Sequence, residues 1–176
     1  MFSRILFAFV LLSISIPGVS FASDSVFYDC GPFQGAPSYL SADVNLASIH
    51  TERWARNTLN QVNPGIGFTY NTPCSWSYSI GFYENSYRRE SGYALVNWTP
   101  FHLRLGNWLI DAGASAGLVS GYRAQEIASR PLAGAFLVRV HMPWLNQTSI
   151  NFIGVPNGPN RESGFVGFQL SVPLMR

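Results

Sequence analysis

Trp76-Ser77-Tyr78-Ser79-Ile80-Gly81-Phe82-Tyr83-Glu84-Asn85-Ser86-Tyr87-Arg88-Arg89-Glu90-Ser91-Gly92-Tyr93 decides how the chain is read. Large apolar residues at Trp76, Tyr78, Ile80 and Phe82 alternate with Ser75, Ser77, Ser79 and Gly81. That is the period of a strand with two unlike faces. A polar, charged loop follows with Glu84, Asn85, Ser86, Arg88 and Arg89, and alternation then resumes. The stretch predicts a strand, an outward loop and a returning strand.

The same period extends in both directions. Upstream, Leu40, Ala42, Val44 and Leu46 alternate with Ser41, Asp43, Asn45 and Ala47, ending near His50. After a polar segment over residues 51–63, Ile66, Phe68 and Tyr70 alternate with small residues. Downstream, a fourth strand over residues 92–100 is less regular, because Leu95, Val96 and Trp98 do not share a face. Cleaner alternation returns over residues 110–118, 132–142 and 166–174, with a short segment at Ile150 and Phe152 that ends near Pro156.

These are about eight segments near the length that a tilted membrane strand needs. Short turns at 71–74, 101–107 and 143–147 alternate with longer, more charged loops that begin near Thr51, Glu84, Val119 and Asn157. The reading is all-β, an eight-stranded antiparallel up-and-down transmembrane barrel over residues 40–176. A soluble lipocalin-like barrel has the same strand count, but its outer face carries charge around an apolar interior. Here the faces opposite the large apolar residues are mostly Gly, Ser, Ala, Asn and Gln, which suits a small plugged lumen.

Composition agrees with a surface that faces something other than water. Charged residues are 11% of the 176-residue chain and aromatics 15%, against about 25% charged in ordinary soluble domains. Residues 1–22 read as a secretory signal peptide, with Arg4, an apolar run from Ile5 to Leu12, a Pro17-Gly18 break and a small-x-small end at Ser20-Phe21-Ala22. Residues 23–39 are then a periplasmic N-terminal segment, and the bacterial outer membrane is the expected location. Cys30 and Cys74 are an even pair in an exported chain, which reads as a disulfide. On this topology both fall on the periplasmic side.

Folding the hairpin after residue 118 back on itself sets Asp111 opposite Arg139, so a lumen ion pair is expected there, with His141 nearby. All the basic side chains are arginine. Arg53, Arg56, Arg88, Arg89, Arg123, Arg130 and Arg161 fall in the long loops, accompanied by Glu52, Glu84, Glu90, Glu126 and Glu162. Guanidinium forks at a bilayer surface suit the phosphates of lipopolysaccharide.

His50-Thr51-Glu52-Arg53-Trp54, Asn63-Pro64-Gly65-Ile66-Gly67-Phe68, Phe82-Tyr83-Glu84-Asn85-Ser86-Tyr87 and Gly154-Val155-Pro156-Asn157 follow one another in an order that resembles the lipid A palmitoyltransferases of the PagP family. The resemblance lies in spacing over most of the mature chain, with few identical residues. It implies an eight-stranded outer-membrane barrel that moves an acyl chain from a phospholipid donor to lipid A, as a monomer, with no cofactor or metal and no nucleic-acid partner. It also implies a catalytic set of His50 at the top of the first strand with Ser86 in the next outer loop. Asn85 stands where that family has aspartate, and Glu84 precedes it. Asn97 falls near the position where the family keeps a small residue at the floor of its acyl chamber, and residues 23–39 do not show the family's amphipathic N-terminal helix.

The residue types fit that chemistry. A histidine takes the proton of an acceptor hydroxyl near neutral pH. Ser86 and Asn85 supply donors for the oxyanion on the ester carbonyl, and Glu84 is a candidate to orient the imidazole. The other expectation is a non-catalytic small outer-membrane barrel, structural or adhesive, whose loops bind lipopolysaccharide. A lipid A deacylase is a weaker match, since no His-x-Ser-Asn arrangement lies near the end of a late strand. An apolar, acyl-sized cavity in the upper lumen separates the catalytic expectation from the structural one.

Overall fold

The computed structural model describes residues 37–123, 125–126, 130–145, 148–158 and 163–175. Eight strands form a closed barrel in chain order: β1 (Tyr39–His50), β2 (Val62–Asn71), β3 (Trp76–Glu84), β4 (Glu90–Leu105), β5 (Trp108–Val119), β6 (Leu132–His141), β7 (Ser149–Val155) and β8 (Phe165–Met175). Every neighbouring pair is antiparallel, and β1 closes on β8 from Leu40↔Met175 to His50↔Phe165. The signal peptide expected over residues 1–22, together with Cys30, Arg161 and Glu162, falls outside the described residues.

Alternation gives the barrel two opposite faces. Ile80, Phe82, Leu132 and Phe136 are each at least 60% exposed, whereas Ser41, Asp43, Thr69, Ser77, Asn97, Asp111 and Asn151 are buried. Among the described residues, the buried apolar side chains are Ala55, Tyr93 and Leu137 alone. A lipocalin-type barrel has the reverse arrangement, with an apolar interior and a charged exterior.

The strand ends differ from the alternation pattern in three places. The segment over residues 51–63 is not all loop: it holds a short helix, α1 (Arg53–Thr58), and β2 already starts at Val62. The turn expected over residues 101–107 shrinks to Gly106 and Asn107, because β4 continues to Leu105 across a register shift between Trp98 and Phe101. Gly106 takes φ +59, the left-handed geometry that a tight two-residue hairpin requires. The loop centred on Ser86 is short, since Glu84 ends β3 and Glu90 begins β4.

The most consequential irregularity is a bulge in β1. Asn45 pairs with Gln169 but Ala47 pairs with Phe168, which leaves Leu46 as an extra residue. Ser41 and Asp43 point inward at odd positions, whereas beyond the bulge Ser48 and His50 point inward at even ones. Were Leu46 instead taken into the ladder as an ordinary strand residue, His50 would lie on the same outer face as Leu40 and Val44. Re-aiming a side chain in this way is a recurrent use of bulges.

The lower lumen, at the end opposite His50, is filled by a polar network that corrects the expected ion pair. Asp111 and Arg139 are cross-strand partners as anticipated. The carboxylate nevertheless accepts from His102 Nδ1 at 2.7 Å and His141 Nε2 at 2.6 Å. Arg139 turns away to donate to Ser77 Oγ at 2.6 Å and Asn71 Oδ1 at 3.2 Å. Two imidazoles bracket the two carboxylate oxygens from either side, while the Asn71 amide oxygen and the Ser77 hydroxyl, from β2 and β3, accept from the two terminal guanidinium nitrogens. His102 escapes the alternation reading because it falls in the segment expected to be a turn.

Candidate functional site

Four connections meet at the upper end, described over residues 51–61, 85–89, 120–123 with 125–126 and 130–131, and 156–158 with 163–164. The first is laced to the second and fourth by backbone. Asn60 N–H donates to the Ser86 carbonyl at 2.9 Å and Thr51 N–H to the Gly164 carbonyl at 2.9 Å, while Ser120 N–H ties its connection to β4 through the Gly92 carbonyl at 2.9 Å. Below them the upper lumen encloses a cavity of about 270 Å³.

His50 and Ser86 both line this cavity, having come from β1 and from the 85–89 loop. His50 is buried, with its ring 5.7 Å from that of Phe165. Its backbone N–H and its ring Nδ1 both lie 3.2 Å from Gln61 Oε1. Arg56, in the last turn of α1, donates from Nη1 to the His50 carbonyl at 2.8 Å, which closes the end of β1 where ladder partners run out. Ser86 Oγ has no hydrogen-bond partner among the described residues, so its hydroxyl is available to a ligand.

Glu84 and Asn85 do not join them. The Glu84 carboxylate accepts from Asn60 Nδ2 at 3.1 Å, and Glu84 does not line the cavity. Asn85 is fully buried and its amide is committed to loop geometry. Its Nδ2 donates to Ser91 Oγ at 2.9 Å and to the Gly121 carbonyl at 3.1 Å, while its Oδ1 accepts from the N–H groups of Tyr87 and Arg89. These four bonds hold a tight turn in which Arg88 takes φ 56. Asn85 therefore shapes the loop that presents Ser86, and a donor role toward substrate has no free group behind it.

The cavity wall is apolar where Leu95, Val119, Ile153 and Val155 face inward. Leu95 is the residue that spoiled the alternation of the fourth strand: an apolar side chain on the polar parity is the mark of a hollow lumen. The small residues Ala133 and Ala135 leave the space unfilled on the β6 side. There the β6–β7 ladder stops at Phe136↔Gly154 although β6 begins at Leu132, so the wall lacks strand pairing beside the cavity. At the bottom, Tyr93 reaches over the Gly67–Gly81 pair; a Cβ on Gly67 would come within 2.2 Å of the Tyr93 hydroxyl. Asn97 is not the floor. It lies beneath, where Ser115, which does line the cavity, donates to its Oδ1 at 2.7 Å.

A tyrosine cluster forms the remaining rim. The hydroxyls of Tyr83 and Tyr122 are 2.9 Å apart, and Tyr87 meets Tyr122 edge to face. Burial pushes the Tyr122 hydroxyl up, and the neighbouring Tyr83 adds to the shift, so it stays neutral. Arg89 pairs with Glu126 and stacks 5.3 Å over the Tyr87 ring. Of the rim arginines, Arg56 and Arg89 are thus engaged in structure, whereas Arg53 and Arg123 point no side-chain nitrogen at an acceptor among the described residues. Among those residues no cluster of His, Cys, Asp and Glu suits a metal ion. Cys74 lies in the turn between β2 and β3, at the lower end. No known protein family matches the chain, and no curated protein matches it.

Proposed function

We propose that the protein is an outer-membrane acyltransferase that moves an acyl chain from a phospholipid to lipid A. The observation that supports this most directly is the upper cavity, in which a histidine and a serine from separate elements share an apolar-walled chamber beside an unpaired stretch of barrel wall. A purely structural or adhesive barrel needs no such space. Membrane insertion is supported by the apolar exterior and by tryptophans grouped toward the lower end, with Trp76 against Trp98 and Trp108 against Trp144. Aromatic girdles of this kind mark the edges of membrane barrels. In this orientation Cys74 faces the periplasm.

The donor's acyl chain lies along Leu95, Val119, Ile153 and Val155, with its ester carbonyl at the mouth between His50 and Ser86. His50 takes the proton from a lipid A hydroxyl as that oxygen bonds to the acyl carbon. The Ser86 hydroxyl donates to the oxyanion that develops on the carbonyl. The bond from the acyl carbon to the glycerol oxygen then breaks, and the proton on His50 passes to that oxygen. A lysophospholipid leaves, the acyl chain rests on lipid A, and the imidazole is restored. One ester replaces another, so the exchange needs neither metal nor cofactor.

The test is mass spectrometry of lipid A from cells that carry the barrel or its His50→Ala and Ser86→Ala variants. Added acyl mass in the parent, lost with His50→Ala and reduced with Ser86→Ala, is expected. Acyl addition that persists in both variants, or none from correctly inserted parent protein, overturns the assignment.

A further inference from the structure

The 85–89 loop supplies no carboxylate to the imidazole, and a different residue holds it. We infer that Gln61 is the positioning residue of His50, fixing the ring as the tautomer with hydrogen on Nδ1 and an open lone pair on Nε2. Only the catalytic consequence rests on the acyl-transfer reading; the tautomer itself does not.

The argument turns on which atom of the Gln61 amide faces His50. A backbone N–H can only donate, and that of His50 lies 3.2 Å from the side-chain atom, which must therefore be Oε1. On its other side the amide presents Nε2 to the carbonyls of Leu59 at 3.1 Å and Ala55 at 3.5 Å, which can only accept. Three backbone groups of fixed polarity thus set the orientation of the amide, so it does not depend on telling oxygen from nitrogen by shape. The same Oε1 stands 3.2 Å from His50 Nδ1. An amide oxygen has no hydrogen to offer, so Nδ1 carries the proton, and the neutral ring keeps Nε2 as its acceptor.

Strand geometry explains why this residue has the task. Ser48 N–H donates to the Gln61 backbone carbonyl at 2.8 Å, which is the last ladder bond between β1 and the start of β2. Two residues on, the His50 N–H has no β2 carbonyl opposite it, and the Gln61 side chain curls over to take that place. Backbone and imidazole are thereby tied to one oxygen, and the bulge at Leu46 delivers the ring to the lumen side. A base that must receive a proton on a particular nitrogen gains from having the other already occupied.

Gln61→Glu and Gln61→Leu separate positioning from support. Glutamate keeps an oxygen for Nδ1 but loses the donations to Leu59 and Ala55, whereas leucine loses both. The readout is nitrogen NMR of selectively labelled histidine in detergent-solubilised barrel, with acyl transfer measured in parallel. The expected result is a protonated Nδ1 and bare Nε2 at His50 in the parent and in Gln61→Glu, with transfer retained within about tenfold. Gln61→Leu gives mixed tautomers and loses transfer by about 10²-fold, the low end of a general base's contribution. Hydrogen on Nε2 in the parent, or equal losses in the two variants, overturns the inference. A parent with the stated tautomer and no acyl transfer sinks the acyltransferase reading and its catalytic consequence, and leaves the tautomer assignment standing.

Discussion

The two halves of the lumen are built from the same strands with the same alternation, yet one is filled and the other hollow. Below, long polar side chains meet across the axis: His102 and His141 on Asp111, Arg139 on Ser77 and Asn71, Thr69 on Asp43 at 2.5 Å. Above, Ala133 and Ala135 leave space and Leu95, Val119 and Ile153 line it with carbon. The difference teaches that inward parity does not fix what a barrel interior does. Side-chain reach decides whether the lumen is cross-braced or becomes a chamber. Polar cross-bracing is concentrated in the lower half, and the candidate chemistry in the upper.

The sharpest way to break that division is to change one residue in each half. His50→Ala should lower acyl transfer by about 10²–10⁴-fold while costing only about 1 kcal/mol of stability, the net value of one hydrogen bond. Initial rates and denaturant unfolding in the same detergent measure both. Asp111→Leu should do the opposite. It leaves His102 and His141 facing each other without their acceptor, and destabilisation of about 3–5 kcal/mol is expected, with activity per folded molecule retained. A comparable loss of rate in Asp111→Leu barrels that remain folded would erase the distinction between the halves.

Asn85→Asp tests the border between them. If a carboxylate were wanted at this position, the change would raise activity. The structure predicts a loss of about 1–3 kcal/mol, because Nδ2 donates to Ser91 and to the Gly121 carbonyl and a carboxylate repels the latter. Thermal unfolding of the pure variant decides the sign. The smallest effect is expected from Arg88→Gly, which relieves a left-handed residue in the same turn and should stabilise the barrel by about 1 kcal/mol. A lower unfolding midpoint would show that the Arg88 side chain contributes contacts worth more than the strain.

Much of this architecture was legible in the order of residues. Period-two alternation located all eight strands, because a strand between two unlike environments must alternate, and the fold followed from the count. The cross-strand placement of Asp111 and Arg139 was legible too, since register follows from the hairpin. Their pairing was not, because His102 enters from a segment that reads as a turn until the shift at Trp98 carries β4 onward to Leu105. Of the candidate site residues, His50 and Ser86 line one cavity. Glu84 and Asn85 were close in sequence to Ser86 but are drawn into the loop's own hydrogen bonds. Gln61 left no trace, because nothing in its neighbours marks a glutamine that will replace a missing ladder carbonyl.

The sequence by itself therefore determined an all-β barrel with a polar interior, because alternation is a local property that every strand carries. Tertiary structure alone decided which way His50 faces. One surplus residue at Leu46 inverts the parity of the end of β1, and only pairing with β8 reveals which residue is surplus. Tertiary structure also decided that the upper lumen is a chamber, since emptiness depends on how far side chains reach across the axis from strands distant in the chain.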